Sequence, residues 1–398
     1  MKGYRSCRLG KSGEGGIFLR VFQGGRLPIK CWATEVEEGA WQQALNLSNL
    51  PFAFSHIALM ADAHEGFGMP IGGVLATQGM IIPNAVGVDI GCGVTAARTD
   101  LTDISTKQVE KIIKNAYRVI PVGFKHHKKA REWDGFREMP SLQILRQEMD
   151  SAKKQIGTLG SGNHFCSIEK GSDEHIWLMV HSGSRNFGYK VANHYNKVAK
   201  KLNQKTGLVP PHYDLAPLPF DSAEGQEYFQ AMNFCLKFAR ANREYLFQAF
   251  FEVFAQETGS EGVLQKIDIH HNYAALERHF QTEVIVHRKG ATRALQGELG
   301  VIPGSMGTSS YIVEGLGNPE SFMSCSHGAG RVISRRKANE IITEEMANQA
   351  MEGIVFLGWG GDYAEAPMAY KDIEEVMANQ KDLVRPLVRL SPLGVMKG

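Results

Sequence analysis

Asp89 and Cys92 stand three residues apart in Gly87-Val88-Asp89-Ile90-Gly91-Cys92-Gly93, just after the apolar run Met80-Ile81-Ile82-Pro83. A carboxylate and a thiol on a glycine-bracketed turn suit one borderline metal ion better than they suit a core. Oxygen ligands favour hard ions such as manganese, and thiolate favours softer ones such as zinc. A Gly-rich turn with an Asp is common, so the pair gains weight only from partners elsewhere in the chain. Four histidines supply them: His164 in Gly160-Ser161-Gly162-Asn163-His164, His181 in His181-Ser182-Gly183-Ser184-Arg185, His271 in His270-His271-Asn272, and His327 in Ser326-His327-Gly328-Ala329-Gly330-Arg331. Each sits beside Gly, Ser or Asn in a strand-end loop. One such histidine alone is more often a hydrogen-bonded structural residue than a ligand. Four of them together with Asp89 and Cys92 predict a metal site. This donor set exceeds one tetrahedral shell, which points to two ions bridged by Cys92, and such a pair can clamp an in-line phosphoryl displacement.

The same loops carry features that bind phosphate. Pro303-Gly304-Ser305-Met306-Gly307-Thr308-Ser309-Ser310 offers backbone N–H groups and hydroxyls, and the His327–Arg331 loop is expected to lead into a helix. Helix N-termini and backbone nests attract anions, although Gly/Ser runs alone usually mean tight turns. Arg185, Lys289, Arg293 and Arg331 lie beside the same strand ends, where their company with the histidines favours anion binding over simple solvation. Lys397 would ordinarily belong to a frayed tail, but its approach through Val388, Leu390, Pro392-Leu393-Gly394-Val395-Met396 is apolar and predicts a docked one.

The elements that must hold these residues read as short β-branched strands and longer helices. Ile176–Val180, Ile267–Ile269 and Val284–Val286 are predicted strands ending at His181, His270-His271-Asn272 and His287-Arg288-Lys289-Gly290. Val191, Tyr195, Val198 and Leu202 recur at helical spacing. A long helix is expected from about Glu224 to about Gln256, with Tyr228, Met232, Cys235, Phe238 and Ala239 on a core-packing face. The Pro-rich segment 208–220 reads as a connection between those two helices, and further helices are expected near Lys337–Ala350 and Ile373–Lys381. The expected fold class is α+β, a single large domain over 1–398 with central mixed β-sheets flanked by helices.

Composition sets the outer bounds. The chain has 398 residues, 43% of them hydrophobic, enough for a large core. No apolar run approaches bilayer length, and Met1-Lys2-Gly3-Tyr4-Arg5 does not open a signal-peptide pattern, so a cytoplasmic protein is expected. Six scattered cysteines (Cys7, Cys31, Cys92, Cys166, Cys235, Cys325) read as reduced thiols. The net charge of +2 excludes a globally basic coat for nucleic acid. Lys125-His126-His127-Lys128-Lys129-Ala130-Arg131 is the densest local basic run, and on its own it reads as a solvated loop.

Taken in order, these segments resemble the RtcB family of RNA-splicing ligases. The matching stretches are Asp62-Ala63-His64-Glu65-Gly66 with Pro70-Ile71-Gly72-Gly73, Gly87–Gly93, Gly157–His164, His181–Arg185, His271-Asn272 and Arg288-Lys289-Gly290-Ala291. They continue with Pro303–Ser310, Ser326–Arg331, Ala369-Tyr370-Lys371-Asp372 and the tail Pro392–Gly398. The segment 1–61 is poorly matched. The resemblance implies a manganese- and GTP-dependent ligase of RNA repair and tRNA splicing; a monomer is expected. Such a ligase joins RNA 3′-phosphate or 2′,3′-cyclic phosphate ends to 5′-hydroxyl ends through a histidine–GMP intermediate. It implies His327, Arg185, Lys289 and Asp62 as catalytic residues and Asp89, Cys92, His164, His181 and His271 as ligands of two manganese ions. It further implies nucleotide contacts from Asn163, His164, Phe165, Ser167, His271, Asn272, Pro303, Gly304, Ser305, Met306, Ser310, His327, Gly328, Ala329, Gly330, Tyr370 and Lys397.

The chain departs from the family pattern at two places. Ser167 stands where a nucleotide-contacting Glu is usual, with Glu169 two residues on and on the same strand face, and Asn186 replaces a usual Gly. Ser167 leaves open an alternative: a metal-dependent phosphodiesterase or phosphatase on RNA ends with lost or changed guanylation. A non-catalytic RNA-end-binding protein is disfavoured by the intact His327 loop and the complete ligand set.

Overall fold

The computed structural model describes residues 19–398; the start Met1–Arg5 and Cys7 lie outside the described residues. Two large sheets organise the chain, as expected for a mixed α+β fold. The first runs in the order Arg20–Phe22, Ile29–Cys31, Ala53–His64, Ile71–Thr77, Thr282–Lys289, Asn272–His279. The second runs Val263–His270, Gly93–Thr99, Ile176–Ser182, Phe165–Gly171, Val384–Lys397, Ser310–Gly315, Leu299–Ile302. Pairing is antiparallel within them except between Ile29–Cys31 and Ala53–His64.

The strand Ile176–Ser182 is buried along its whole length, and its period-two alternation sends side chains to two cores. Ile176, Leu178 and Val180 pack with Ile112, Ile113, Phe250 and Phe254 of the helices Thr106–Val119 and Ala223–Thr258. Trp177 and Met179 pack on the other face with Val94, Ile267, Ile269 and Ile312. His181 continues that second face at the strand end. The predicted core positions Tyr228, Met232, Cys235, Phe238 and Ala239 are all buried on the 36-residue helix Ala223–Thr258. Burying each large apolar side chain there contributes roughly 1.5–3 kcal/mol. The helix starts at Ser222, whose Oγ accepts from the Gly225 N–H at 3.1 Å.

The Pro-rich segment does connect two helices, Arg185–Thr206 and Ala223–Thr258, through a 3₁₀ turn at Pro211–Tyr213 and a short strand Leu218–Pro219 paired with Met80–Ile81. Other boundaries shift. The helix expected near Lys337–Ala350 is two, Arg335–Ile341 and Glu344–Gln349, because Thr343 caps a new start with its side chain on the Met346 N–H. The helix from Ile373 stops at Ala378. The His327 loop does not run into a helix directly: Ser334 caps the next one at Arg335. The tail is docked, since Val384–Lys397 is an interior strand of the second sheet, between Phe165–Gly171 and Ser310–Gly315. No helix among the described residues is long and apolar enough to cross a membrane.

The long helix is not uniformly apolar inside. Arg243, fully buried, gives its Nε and one terminal nitrogen to the Asp268 carboxylate at 2.7 and 3.0 Å, and its other nitrogen to the carbonyls of Gly91 (2.8 Å) and Ser182 (3.2 Å). Neighbouring Asn242 accepts from the N–H groups of Gly157 and Thr158 at 2.8 and 3.2 Å. Its amide nitrogen donates to Ser182 Oγ and the Gly183 carbonyl. Removing one partner of a buried ion pair leaves an uncompensated charge, so Arg243→Met is expected to cost about 3–5 kcal/mol in urea unfolding. A loss below about 1 kcal/mol, the scale of an ordinary surface change, would show that this pair does not hold the fold.

Candidate active site

Three residues separate Asp89 on its turn from the start of the interior strand Gly93–Thr99, and Cys92 closes that turn with its N–H on the Asp89 carbonyl at 3.1 Å. Cys92 Sγ lies 3.4 Å from His164 Nε2 and 3.2 Å from His181 Nε2, and His164 Nε2 lies 3.1 Å from Asp89 Oδ2. The donor atoms of Cys92, His164 and His181 all fall within 4.8 Å of one another. Both imidazoles are oriented from behind: His164 Nδ1 donates to the Leu159 carbonyl and His181 Nδ1 to the Asn163 carbonyl, each at 2.9 Å. That arrangement turns both Nε2 lone pairs toward the thiol, the tautomer a metal requires.

Electrostatics agree with a cation at this point. Burial and the Asp89 carboxylate push the Cys92 thiol well up, so a nearby positive charge is needed to hold a thiolate at neutral pH. Burial holds His181 and His271 far below the usual imidazole range, which keeps them neutral and able to ligate. Burial opposes charge on Asp89, but the His164 hydrogen bond and the charges of His164 and Arg185 outweigh it and keep a carboxylate. His271 stands outside the tight trio, with its ring centroid 5.3 Å from that of His181 and its buried Nδ1 without any partner. An orphaned imidazole nitrogen beside a thiol and two oriented imidazoles is the pattern a metal ion would complete.

His327 follows the strand Ser324–Ser326 and stacks edge-on against His271, with ring centroids 4.7 Å apart. Its Nδ1 meets Asp62 Oδ2 at 2.6 Å, and its backbone N–H donates to the same oxygen at 3.2 Å. Asp62 is fully buried on Ala53–His64. Burial works against its charge, but His327, His64 and Lys371 together keep it ionised. The Asp62 backbone also presses on Gly330, where a Cβ would fall 2.3 Å from the Asp62 carbonyl oxygen and φ is +75°. No side chain fits that contact. With Nδ1 committed to Asp62, the Nε2 of His327 is left as the free nitrogen.

Beside His327 opens a cavity that reaches His181 of the cluster and is lined by Asn163, Phe165, Ser167, Pro303, Gly304, Ser305, Met306, Ser310, the loop Gly328-Ala329-Gly330, Tyr370 and Lys397. Most of the nucleotide contacts implied by the sequence thus share one wall-to-wall space. His164, His271 and Asn272 do not line it. Asn272 is engaged elsewhere, its amide nitrogen donating to the Asp89 carbonyl at 3.1 Å and its oxygen accepting from the Gly290 N–H at 2.8 Å. Lys289 is also absent from the cavity: its ammonium donates to the carbonyls of Phe67 (2.6 Å) and Asn84 (3.1 Å) under the Gly87 turn, and burial lowers it to about 8. Arg293 is spent on Glu298 at 2.7 Å. Arg185 begins its helix with φ at +57°, a backbone rarely adopted outside glycine, and its Nε reaches Thr158 Oγ1 at 3.3 Å.

Two acidic residues shape this region: Glu365, which belongs to no motif, and Glu169, the neighbour of Ser167 two residues on. Glu365 lies between alanines, yet it gathers Arg335 (2.7 Å), Arg331 (3.4 Å), Lys397 (3.6 Å) and the Tyr370 hydroxyl; those partners overcome burial and keep it ionised. Burial in turn lowers Lys397 to about 8. Glu169, on the same strand face as Ser167, accepts from Ser167 Oγ at 2.8 Å through Oε1, while its buried Oε2 has no partner. Burial raises this carboxyl to about 7.

The Glu169 shift has a defined sign. Between about pH 4.5 and pH 7 the folded state binds more protons than the unfolded one, so stability falls as pH rises through that window. Glu169→Gln is therefore expected to stabilise the protein relative to wild type by roughly 2–3 kcal/mol at pH 8 and by little at pH 5, read from paired thermal melts. An offset that stays constant between pH 5 and pH 8 would contradict the assignment.

The chain that folds this way is similar to known proteins. A family model described as tRNA-splicing ligase RtcB matches residues 43–143 and 131–398. The chain is 38% identical to the RNA-splicing ligase RtcB of Escherichia coli K12, over 93% of this chain and 97% of that protein. It is 32% identical to the tRNA-splicing ligase RtcB of Thermococcus kodakarensis, over 90% of each. It is 33% identical to the RNA-splicing ligase RtcB of Mycobacterium tuberculosis, over 89% of this chain and all of that protein. On the strength of these matches, the chain belongs to the RtcB family.

Proposed function

We propose that the protein is an RNA ligase that uses manganese and GTP to join a 3′-phosphate or 2′,3′-cyclic phosphate end to a 5′-hydroxyl end. The observation that carries this reading is the pairing of His327 with Asp62 between a metal-competent cluster and the Gly/Ser-lined cavity. A buried carboxylate holding Nδ1 fixes the tautomer that leaves Nε2 as a nucleophile, the same logic by which an aspartate orients a catalytic histidine. Nε2 of His327 attacks the α-phosphorus of GTP, the N–P bond forms and pyrophosphate leaves with its electron pair. An RNA 3′-phosphate oxygen then displaces the imidazole, returning the lone pair to His327. The 5′-hydroxyl oxygen finally attacks that activated phosphate as its bond to GMP breaks, and the hydroxyl proton leaves with the GMP phosphate; a 2′,3′-cyclic end enters this sequence after water opens it to a 3′-phosphate.

Cys92, His164 and His181, with Asp89 and His271 beside them, are the residues assigned to hold manganese, which when bound neutralises phosphate charge. Arg185, against His164 and Asp89, is assigned to the reacting phosphates. Lys289, with its ammonium on two carbonyls, is assigned to bracing the turn that carries Asp89. In the cavity, Asn163, Phe165, Ser305, Met306, Ser310 and the 328–330 loop surround the nucleotide, with Tyr370 and Lys397 at the Glu365 end. Glu169 supplies an acceptor in place of the carboxylate that Ser167 lacks, with Ser167 fixing its orientation.

GTP labelled at the α-phosphate, incubated with the protein and Mn²⁺ and followed by denaturation, is expected to leave acid-labile label on the wild-type chain and none on His327→Ala. Asp62→Asn keeps the shape but loses the charge that sets the tautomer, and labelling is expected to slow by roughly a hundredfold or more. A wild-type protein that binds Mn²⁺ yet takes up no label would sink the ligase reading and favour the phosphodiesterase alternative.

A further inference from the structure

The basic run Lys125–Arg131 plays no part in the site just described, yet the fold does not leave it as a free loop. The Gly123 N–H donates to the Gly160 carbonyl at 2.6 Å, the Leu159 N–H donates to the Pro121 carbonyl at 3.0 Å, and Val122 bridges Gly160 in parallel. Further along, the backbone N–H groups of His127 and Arg131 donate to the carbonyls of Lys154 and Lys153 at 3.0 and 2.8 Å. The His127 ring reaches the Gly157 carbonyl at 3.0 Å, and the Arg131 guanidinium lies 4.7 Å from the centre of the Tyr245 ring. The loop is therefore pinned at both ends to segment 153–160. That segment supplies the Leu159 carbonyl that orients His164, and its Gly160 lies so close to the Arg185 guanidinium that a Cβ there would have no room.

What this anchored loop displays is unusual. Phe124, directly after Gly123, is 95% exposed, more than any other large apolar side chain among the described residues. Lys125, Lys128 and Lys129 are exposed beside it and form no ion pair among the described residues. The first acid after the run, Glu132, is paired with Lys153 at 3.5 Å. An aromatic face held in water among unpaired cations matches a chain of alternating bases and phosphates: every base has a face to stack, and every linkage carries a negative charge. A duplex hides its base faces, so the exposed ring favours a single strand.

We propose that the loop 123–131 is a landing surface for single-stranded RNA beside the reacting end, with Phe124 stacking on a base and Lys125, Lys128 and Lys129 contacting phosphates. The proposal rests on the RNA reading above, but its test omits GTP, so the two can fail separately. Anisotropy of a fluorescent single-stranded oligoribonucleotide with a 3′-phosphate is measured over a salt series. Phe124→Ala is expected to weaken binding about tenfold, and Phe124→Trp to retain it. Replacing the three lysines by Gln is expected to flatten the log–log salt dependence by about 2. A loss smaller than about threefold for Phe124→Ala, no binding by the wild type, or equal affinity for a duplex of the same sequence overturns the proposal. A chain that binds RNA in this way but never takes up guanylate overturns the ligase reading alone.

Discussion

The ion pair between Arg243, buried in the middle of the longest helix, and Asp268 of the strand Val263–His270 is the interaction on which the rest of the site depends. A guanidinium removed from water pays a desolvation cost that only complete hydrogen bonding offsets, and here every arm finds an acceptor. Two of those acceptors are the carbonyls of Gly91 and Ser182, the residues adjoining Cys92 and His181. Asn242 does the same for Gly157, Thr158 and Gly183, close to His164 and Asp89. Three loops from distant parts of the chain are thus held to one side of a single rigid rod. The clustering of Cys92, His164 and His181 is braced by that rod, although none of the three lies on it.

His327 joins the two halves of the site. Its ring packs against His271 and through it His181, and with His181 it lines the Gly/Ser-rich cavity. Asp62 reaches it from the first sheet, while the thiol and the two oriented imidazoles belong to strands and loops of the second. The sheets therefore contribute different groups: one brings Asp62 to His327, the other brings together the thiol and imidazoles that could hold a metal. Burial has opposite uses within this small space. It keeps His181 and His271 neutral, whereas enough compensating charge surrounds Asp62 and Asp89 to keep both ionised.

Much of this was legible in the sequence, and the parts that were not share a physical reason. Asp89, Cys92 and the histidines stand out because polar, metal-competent groups at strand ends among glycines have few structural explanations. The long helix was legible from its apolar period, and the docking of Lys397 from the apolar run before it. Asn242 and Arg243 were hidden by that same period, since a polar pair inside an apolar helix pattern reads as its solvent face. The contact between Asp62 and His327 spans 265 residues and follows only from the folded topology. Lys289 looked like a phosphate ligand, yet its ammonium turns back onto two carbonyls, because side-chain direction is not encoded in spacing. Glu365 carried no signal at all: it is an isolated charge whose four partners come together only in space. The break at Thr343 was missed because a capping threonine competes locally with an otherwise continuous helical period.

The central claim is that loops held by Asn242 and Arg243 assemble a manganese site from Cys92, His164 and His181 next to an Asp62-oriented His327. Anomalous diffraction at the manganese edge, from crystals soaked in Mn²⁺, tests it most directly. The account predicts a strong peak bonded to Cys92 Sγ and to the Nε2 atoms of His164 and His181. An ordered manganese bound elsewhere, or no ordered ion at these three atoms in crystals that show the same fold, would contradict it.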